Sequence, residues 1–198
     1  MSQLLESIRL LDGEFSNLSY HEQRVNRSLK MVFGVEHQLD FQSLLNKKDR
    51  PRKGLYKCRF IYDDSRSDLE FIPYQFRSIR TLKAVKDNNI HYPFKFADRA
   101  EINRLFESRG NCDDILIIKD GAVTDSSYAN IVFRKEQNWY TPTAPLLKGT
   151  MRMCLLEKGI IKEHPIGVTD ISMYEGFKLI NAMLAFDSPE QPISNIII

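Results

Sequence analysis

DDILIIKDGAVTDSSYANIVF, residues 113–133, is the stretch on which the fold turns. Ile115–Ile118 is a short run of apolar, mostly β-branched residues, which suits a strand. Lys119–Asp120–Gly121 is turn chemistry, because Asp and Gly accept the backbone conformations a tight reversal needs. Thr124–Asn130 is a small polar run, followed by Ile131–Tyr140, which reads as another strand. The polar run suits a plain turn between strands. It equally suits a carboxylate, that of Asp125, aimed at a bound group.

Working outward, Ile8–Leu11 reads as a strand and Asp12–Gly13 as a tight turn. A helix is predicted over Tyr20–Phe33, with Ser19 and Glu22 as a capping box and Gly34 as the left-handed residue that ends it. Residues 40–46 predict a second short helix. Leu55–Tyr62 and Leu69–Phe76 form a hairpin about the turn Asp63–Asp68. Strand alternation puts Tyr56, Cys58, Phe60 and Tyr62 on one face and Lys57, Arg59 and Ile61 on the other. Leu82–Val85 is a further strand. Ala97–Ser108 is a helix, with Ile102, Leu105 and Phe106 at helical spacing, Asp98 as its cap and Gly110 beyond its end. Gly149 opens a helix over Thr150–Lys158 and Gly159 closes it. Phe177–Leu184 and Ser194–Ile198 read as late buried strands. The pattern is α+β. A boundary near residues 86–92 divides a smaller N-terminal α/β domain, 1–90, from a larger C-terminal domain, 91–198.

Composition excludes several classes. Hydrophobic residues make up 42% of the 198, enough for a core. Lys and Arg number 28 against 26 Asp and Glu, so no nucleic-acid footprint is expected. The one basic stretch, Lys47–Lys53, contains Asp49 and Pro51 and reads as a solvated loop. No apolar run is long enough to span a bilayer, and Met1–Phe15 has no basic lead before an apolar run, so neither a membrane span nor a signal peptide is expected. Cys58, Cys112 and Cys154 are odd in number and far apart, with no CxxC or HExxH spacing. Free thiols, no metal and a cytoplasmic location are the expectation.

Four local features carry candidate chemistry. Lys95 lies in an aromatic segment, Tyr92–Pro93–Phe94–Lys95–Phe96, just before a helix. Alone it reads as a surface lysine, but apolar neighbours lower an amine's pKa, and a neutral amine condenses with an aldehyde. Gly149–Thr150–Met151–Arg152 reads as an ordinary loop-to-helix junction, or as a helix start that holds an anion. Asp125 is the third. His21–Glu22–Gln23–Arg24, the fourth, reads alone as a solvated helix face.

The order and spacing of these features resemble the class IV aminotransferase family, the fold-type IV pyridoxal-phosphate (PLP) enzymes. The matching segments are LESIRLLDG (5–13), HEQRV (21–25), KFADR (95–99), the stretch at 113–133, YTP (140–142), LLKGTMR (146–152) and LINAML (179–184). The resemblance covers essentially the whole chain. It implies a two-domain fold with a PLP cleft between the domains, a homodimer and a small-molecule amino substrate. It implies Lys95 as the Schiff-base lysine and Asp125 as the carboxylate on the pyridine nitrogen. Arg24, with the backbone N–H groups of Thr150 and Met151, would hold the phosphate, and Ala182 falls at another phosphate position. Lys57 and Arg59 fall near positions that touch substrate, although an exposed strand face explains them equally well.

There are departures. Asp125 replaces a glutamate and is shorter by one methylene, about 1.5 Å of reach. Asp98 stands where Asn is frequent, and Met151 lacks the hydroxyl common there in transaminases. Ala182 replaces a threonine, although Asn181–Ala182 and Gly–x–Met–Arg resemble the lyase branch. Family members usually carry a longer segment before the LESIR-like strand, so substrate specificity is not carried over. Three functions follow as expectations. The first is a lyase like aminodeoxychorismate lyase, which releases pyruvate and leaves 4-aminobenzoate. The others are an amino-acid transaminase, and a shortened non-catalytic relative that binds a ligand or partner.

Overall fold

The computed structural model describes residues 3–36, 39–46 and 49–198. Lys47 and Lys48 of the basic stretch lie outside them. The chain divides into two units, Met1–Phe76 with Phe94–Asp98, and Arg77–Pro93 with Arg99–Ile198.

In the first unit, β1 (Leu4–Leu11) alternates buried and half-buried residues, with Leu4, Glu6, Ile8 and Leu10 on the buried side. It is longer than the expected Ile8–Leu11 because Leu4–Ser7 pairs with Arg59–Tyr62. Asp12 and Gly13 both have positive φ (48° and 87°) and make the expected turn into β2 (Glu14–Phe15). The helix α1 (Leu18–Phe33) begins earlier than its capping signal implied. Its N-cap is Asn17, left-handed at φ 55°, so Ser19 sits inside the first turn and no capping box forms. Glu22 instead accepts the Phe41 N–H at 3.2 Å, at the start of α2 (Phe41–Asn46). Gly34, at φ 72°, ends α1 as expected. β3 (Leu55–Tyr62) and β4 (Ser67–Pro73) complete an antiparallel sheet of order β2-β1-β3-β4. Cys58, Phe60 and Tyr62 are buried and join Leu4, Ile8, Val25 and Leu29 in the core. Phe94 and Phe96 pack against that core.

The second unit contains β5 (Leu82–Lys86), α3 (Ala100–Phe106), β6 (Asp114–Lys119), β7 (Ala122–Ser126), β8 (Asn130–Lys135) and β9 (Asn138–Pro142). It continues with α4 (Thr150–Glu157), β10 (Lys162–His164), β11 (Gly176–Ile180), β12 (Gln191–Pro192) and β13 (Ile196–Ile197). Its sheet runs β10-β9-β8-β7-β6-β5-β13, with β11 pairing β8 and β12. Phe133 and Phe177, fully buried, pair across β8 and β11 in the centre of the core.

Several expectations are corrected here. Arg99, not Asp98, occupies the N-cap of α3, and no side-chain cap bond forms. That helix closes in a 3-10 turn at Glu107–Arg109. Ile131–Tyr140 is two strands, because Glu136 at φ 55° reverses the chain. The strand read as Phe177–Leu184 stops at Ile180, since the Asn181 side chain accepts the Met183 and Leu184 N–H groups (2.8 and 2.9 Å) and folds a turn. At the C-terminal end only Ile196–Ile197 pairs, and Ile197 and Ile198 are 45% and 68% exposed rather than buried. Among the described residues no helix is long and apolar enough to cross a membrane.

Truncating Phe133 removes a fully buried ring between two paired strands. Phe133→Ala is expected to cost about 3–5 kcal/mol, read as a lower urea midpoint with an unchanged denaturant slope.

Candidate active site

Each unit buries a cluster of polar side chains. In the first, the alternation of β1 turns Glu6 inward among Leu4, Ile8 and Leu10, where it is fully buried. Helix α1 lays His21, Val25 and Leu29 on the same core. His21 is therefore buried too, and the solvated-face reading of His21–Arg24 does not hold for it. Glu6 accepts three hydrogen bonds, from Arg24 Nε (2.8 Å), from Arg24 Nη2 (2.5 Å) and from His21 Nδ1 (2.6 Å). Burial pushes the Glu6 carboxyl up, but the Arg24 charge and the bonds from His21 and Arg24 outweigh it and hold the group at about 2. Burial disfavours the His21 cation, and the Arg24 and Lys95 charges add to that, against the pull of Glu6. A neutral His21 beside an ionised Glu6 must carry its proton on Nδ1. The result is a fixed guanidinium, with its charge balanced by a carboxylate behind it.

Lys95 belongs to the first unit and is half-buried. The Phe96 N–H donates to the Phe94 carbonyl at 2.9 Å, so Lys95 stands at the apex of a three-residue turn. Its own carbonyl accepts from Leu5 N–H at 2.8 Å, and the Ala97 N–H reaches the Gln3 carbonyl at 2.8 Å. These bonds fasten the Lys95 turn to the N-terminal end of β1. On β3, Lys57 and Arg59 share the face opposite Cys58 and Phe60, as alternation predicts. Arg59 pairs with Glu70 across the hairpin at 2.7 Å, and Lys57 is half-buried between Arg9 and Ile72 on the neighbouring strands.

In the second unit, Asp125 and Asn130 are the register pair that joins β7 to β8. Ser126 and Ala129 close the turn between them through Ser126 N–H to the Ala129 carbonyl, 2.9 Å. The polar run read as a turn is thus part strand and part turn. Asp125 is buried, and its Oδ1 and Oδ2 accept from Asn130 Nδ2 (2.7 Å) and Leu147 N (2.9 Å). Burial pushes its carboxyl up to about 6 against the opposing pull of those two bonds and of the Arg152 charge. Leu147 lies in the segment that leads to Gly149, the N-cap of α4. Thr150 and Met151, buried, form the first turn of that helix, at the positive end of its dipole. Arg152 points away into the core, where Nη2 donates to Pro142 O (2.8 Å) and to Glu163 (2.6 Å). Ala182 sits half-buried in the turn capped by the Asn181 side chain.

Glu6 was given no role from the sequence, and Asn130 and Arg152 stood there only inside longer motifs. Glu6 was detectable as the one acid at an inward position of an alternating strand. Asn130, a polar residue at the head of the apolar run Ile131–Phe133, was detectable in the same way. The burial of Arg152 carries no local signal, because its partners lie on β9 and β10. Among the described residues no group of three or more His, Cys, Asp or Glu side chains is placed to hold a metal ion.

Residues 83–188 match the family described as amino-transferase class IV. An uncharacterized protein of Haemophilus influenzae is 38% identical over 185 residues, 92% of this chain and 98% of that one. This chain belongs to the class IV aminotransferase family. Its fold is similar to that of a protein of Haemophilus somnus provisionally named 4-amino-4-deoxychorismate lyase, with 37% identity and a TM-score of 0.89, over 94% of this chain and 98% of that one. A hypothetical aminotransferase from Mycobacterium tuberculosis, in its PLP-bound form, shares the fold at 16% identity and a TM-score of 0.76, over 98% of this chain and 81% of that one.

The Mycobacterium tuberculosis structure holds PLP, and each unit of this chain has residues whose chemistry suits part of that group. In the second unit a buried carboxylate held by neutral donors suits a cationic ring nitrogen and a helix start suits a phosphate; in the first unit the fixed guanidinium also suits an anion. The Glu6 cluster also has a measurable pH signature. The Glu6 carboxyl is lowered from its ordinary 4.5, so its stabilising effect is complete above about pH 4.5 and is lost as pH falls toward 2. Glu6→Gln is expected to destabilise the protein at pH 7 by about 3–5 kcal/mol. Thermal midpoints of the two proteins are expected to converge as pH drops through that window; a gap that persists at pH 2 contradicts the assignment.

Proposed function

We propose that this protein is a PLP-dependent enzyme acting on a small amino substrate, with a lyase reaction like that of aminodeoxychorismate lyase. The observation that carries the reading is Asp125. It is a buried carboxylate, raised to about 6 by burial and held by neutral N–H donors from Asn130 on β8 and from Leu147 in the segment just before the α4 start. Such a group gains most from a cationic partner.

When bound, pyridoxal phosphate supplies an aldehyde that takes up the substrate amine and a ring that draws electrons from the carbon bearing it. Lys95 is the amine that holds the cofactor covalently, and once released it moves protons at that carbon. Asp125 keeps the proton on the ring nitrogen. Arg24, Thr150 and Met151 hold the phosphate, and Ala182 contributes backbone only, since it has no hydroxyl to donate. Lys57 and Arg59 grip a substrate carboxylate. A cytoplasmic homodimer completes the proposal. The lyase choice is supported by the 37% identical protein of Haemophilus somnus and by Asn181–Ala182 and Gly149–Thr150–Met151–Arg152.

Pyridoxal phosphate added to the purified protein is expected to produce an absorbance band that Lys95→Ala abolishes. A wild-type protein with no such band would be the non-catalytic relative. Pyruvate is expected to be released from aminodeoxychorismate with no keto-acid acceptor present. An absolute need for an acceptor would make the enzyme a transaminase.

A further inference from the structure

We propose that Asn130 is the positioning residue that ties Asp125 to the start of α4, so that the carboxylate and the helix start are set as one piece. The inference rests on the reading above, in which those two groups meet the ring and the phosphate of one cofactor. Its core, a mechanical link between two points of the second unit, is testable without that reading.

The link is a closed ring of three hydrogen bonds. The Asn130 amide nitrogen has two hydrogens. One goes to Asp125 Oδ1 at 2.7 Å and the other to the Leu147 carbonyl at 2.9 Å. The Leu147 N–H returns to Asp125 Oδ2 at 2.9 Å. Both neighbours of the amide nitrogen are acceptors, which settles the orientation of the amide. Its oxygen is thereby turned to the other side, against Gly149. A Cβ on Gly149 would lie 2.0 Å from that oxygen, far inside contact distance. Gly149 is the N-cap of α4, so Asn130 is seated between the carboxylate on one side and the helix cap on the other.

The arrangement also accounts for an aspartate at this position. Asp125 and Asn130 face each other in the register that joins β7 to β8, so their side chains leave the sheet on the same side. Asn130 holds the Leu147 backbone close, and the shorter carboxylate reaches the Leu147 N–H directly. All members are buried or half-buried, and the bonds are therefore little exposed to competition from water.

The decisive experiment is a substitution at the helix cap read out at the carboxylate. In the protein without added ligand, with aspartate labelled at the carboxyl carbon, the Asp125 resonance is followed by NMR against pH. The wild-type midpoint is expected near 6. Gly149→Ala does not alter any group bonded to Asp125, yet it pushes on the Asn130 oxygen. It is expected to raise the Asp125 midpoint by about one pH unit, because a donor to the charged form is lost. Asn130→Leu is expected to raise it at least as far and to weaken pyridoxal phosphate binding about tenfold, measured by absorbance titration. An Asp125 midpoint at the wild-type value in folded Gly149→Ala would overturn the inference, and so would one in folded Asn130→Leu. Should the wild-type protein not bind pyridoxal phosphate while both midpoints rise, the functional reading fails and the Asn130 link stands.

Discussion

A carboxylate taken out of water must either be given a countercharge or surrender part of its own charge. Both units of this protein bury one, and they resolve the problem in opposite ways. Glu6 has the Arg24 guanidinium in bidentate contact and stays fully ionised. Asp125 receives only neutral N–H donors, with the Arg152 charge acting from beyond hydrogen-bond contact, and it is held near 6. The first carboxylate is satisfied and works as a support; it fixes Arg24 and keeps His21 in one tautomer. The second is left short of positive charge. That difference between two buried acids is what the proposed chemistry uses.

The elements around each acid follow from this. β1 must be long enough to bring Glu6 under α1, and its Leu5 N–H, with the Gln3 carbonyl just before the strand, fastens the Lys95 turn. In the second unit, β7 and β8 supply the pair Asp125 and Asn130, while the segment after β9 brings back Leu147 and the cap of α4. Arg152, one of the largest fully buried side chains, anchors that helix to Pro142 and Glu163.

Much of this was legible in the sequence, and the exceptions have physical reasons. Alternation in Leu55–Tyr62 assigned the two faces of β3 correctly, because side-chain period is a local property. Gly34 ended α1 where expected, because a left-handed residue is a local need. The start of α1 was misread, since Ser19 and Glu22 have the right spacing but Asn17 turns the chain first. The break at Glu136 was missed because a non-glycine residue takes up the positive φ there. Within the candidate site, the segments holding Lys95, Asp125 and Thr150 were visible as motifs. The partners that set their properties were not, since Glu6 lies fifteen residues from His21 and Leu147 twenty-two from Asp125.

The contact between Gly149 and the Asn130 amide also constrains how this sequence can drift over generations. Position 149 is not free to vary by itself: a Cβ there lies 2.0 Å from the asparagine oxygen. A lineage that replaced the glycine would first have to shrink or reorient the asparagine, and would pass through an intermediate in which Asp125 had lost a donor. Change here is order-dependent, so the two positions should be inherited as a pair even though they lie nineteen positions apart.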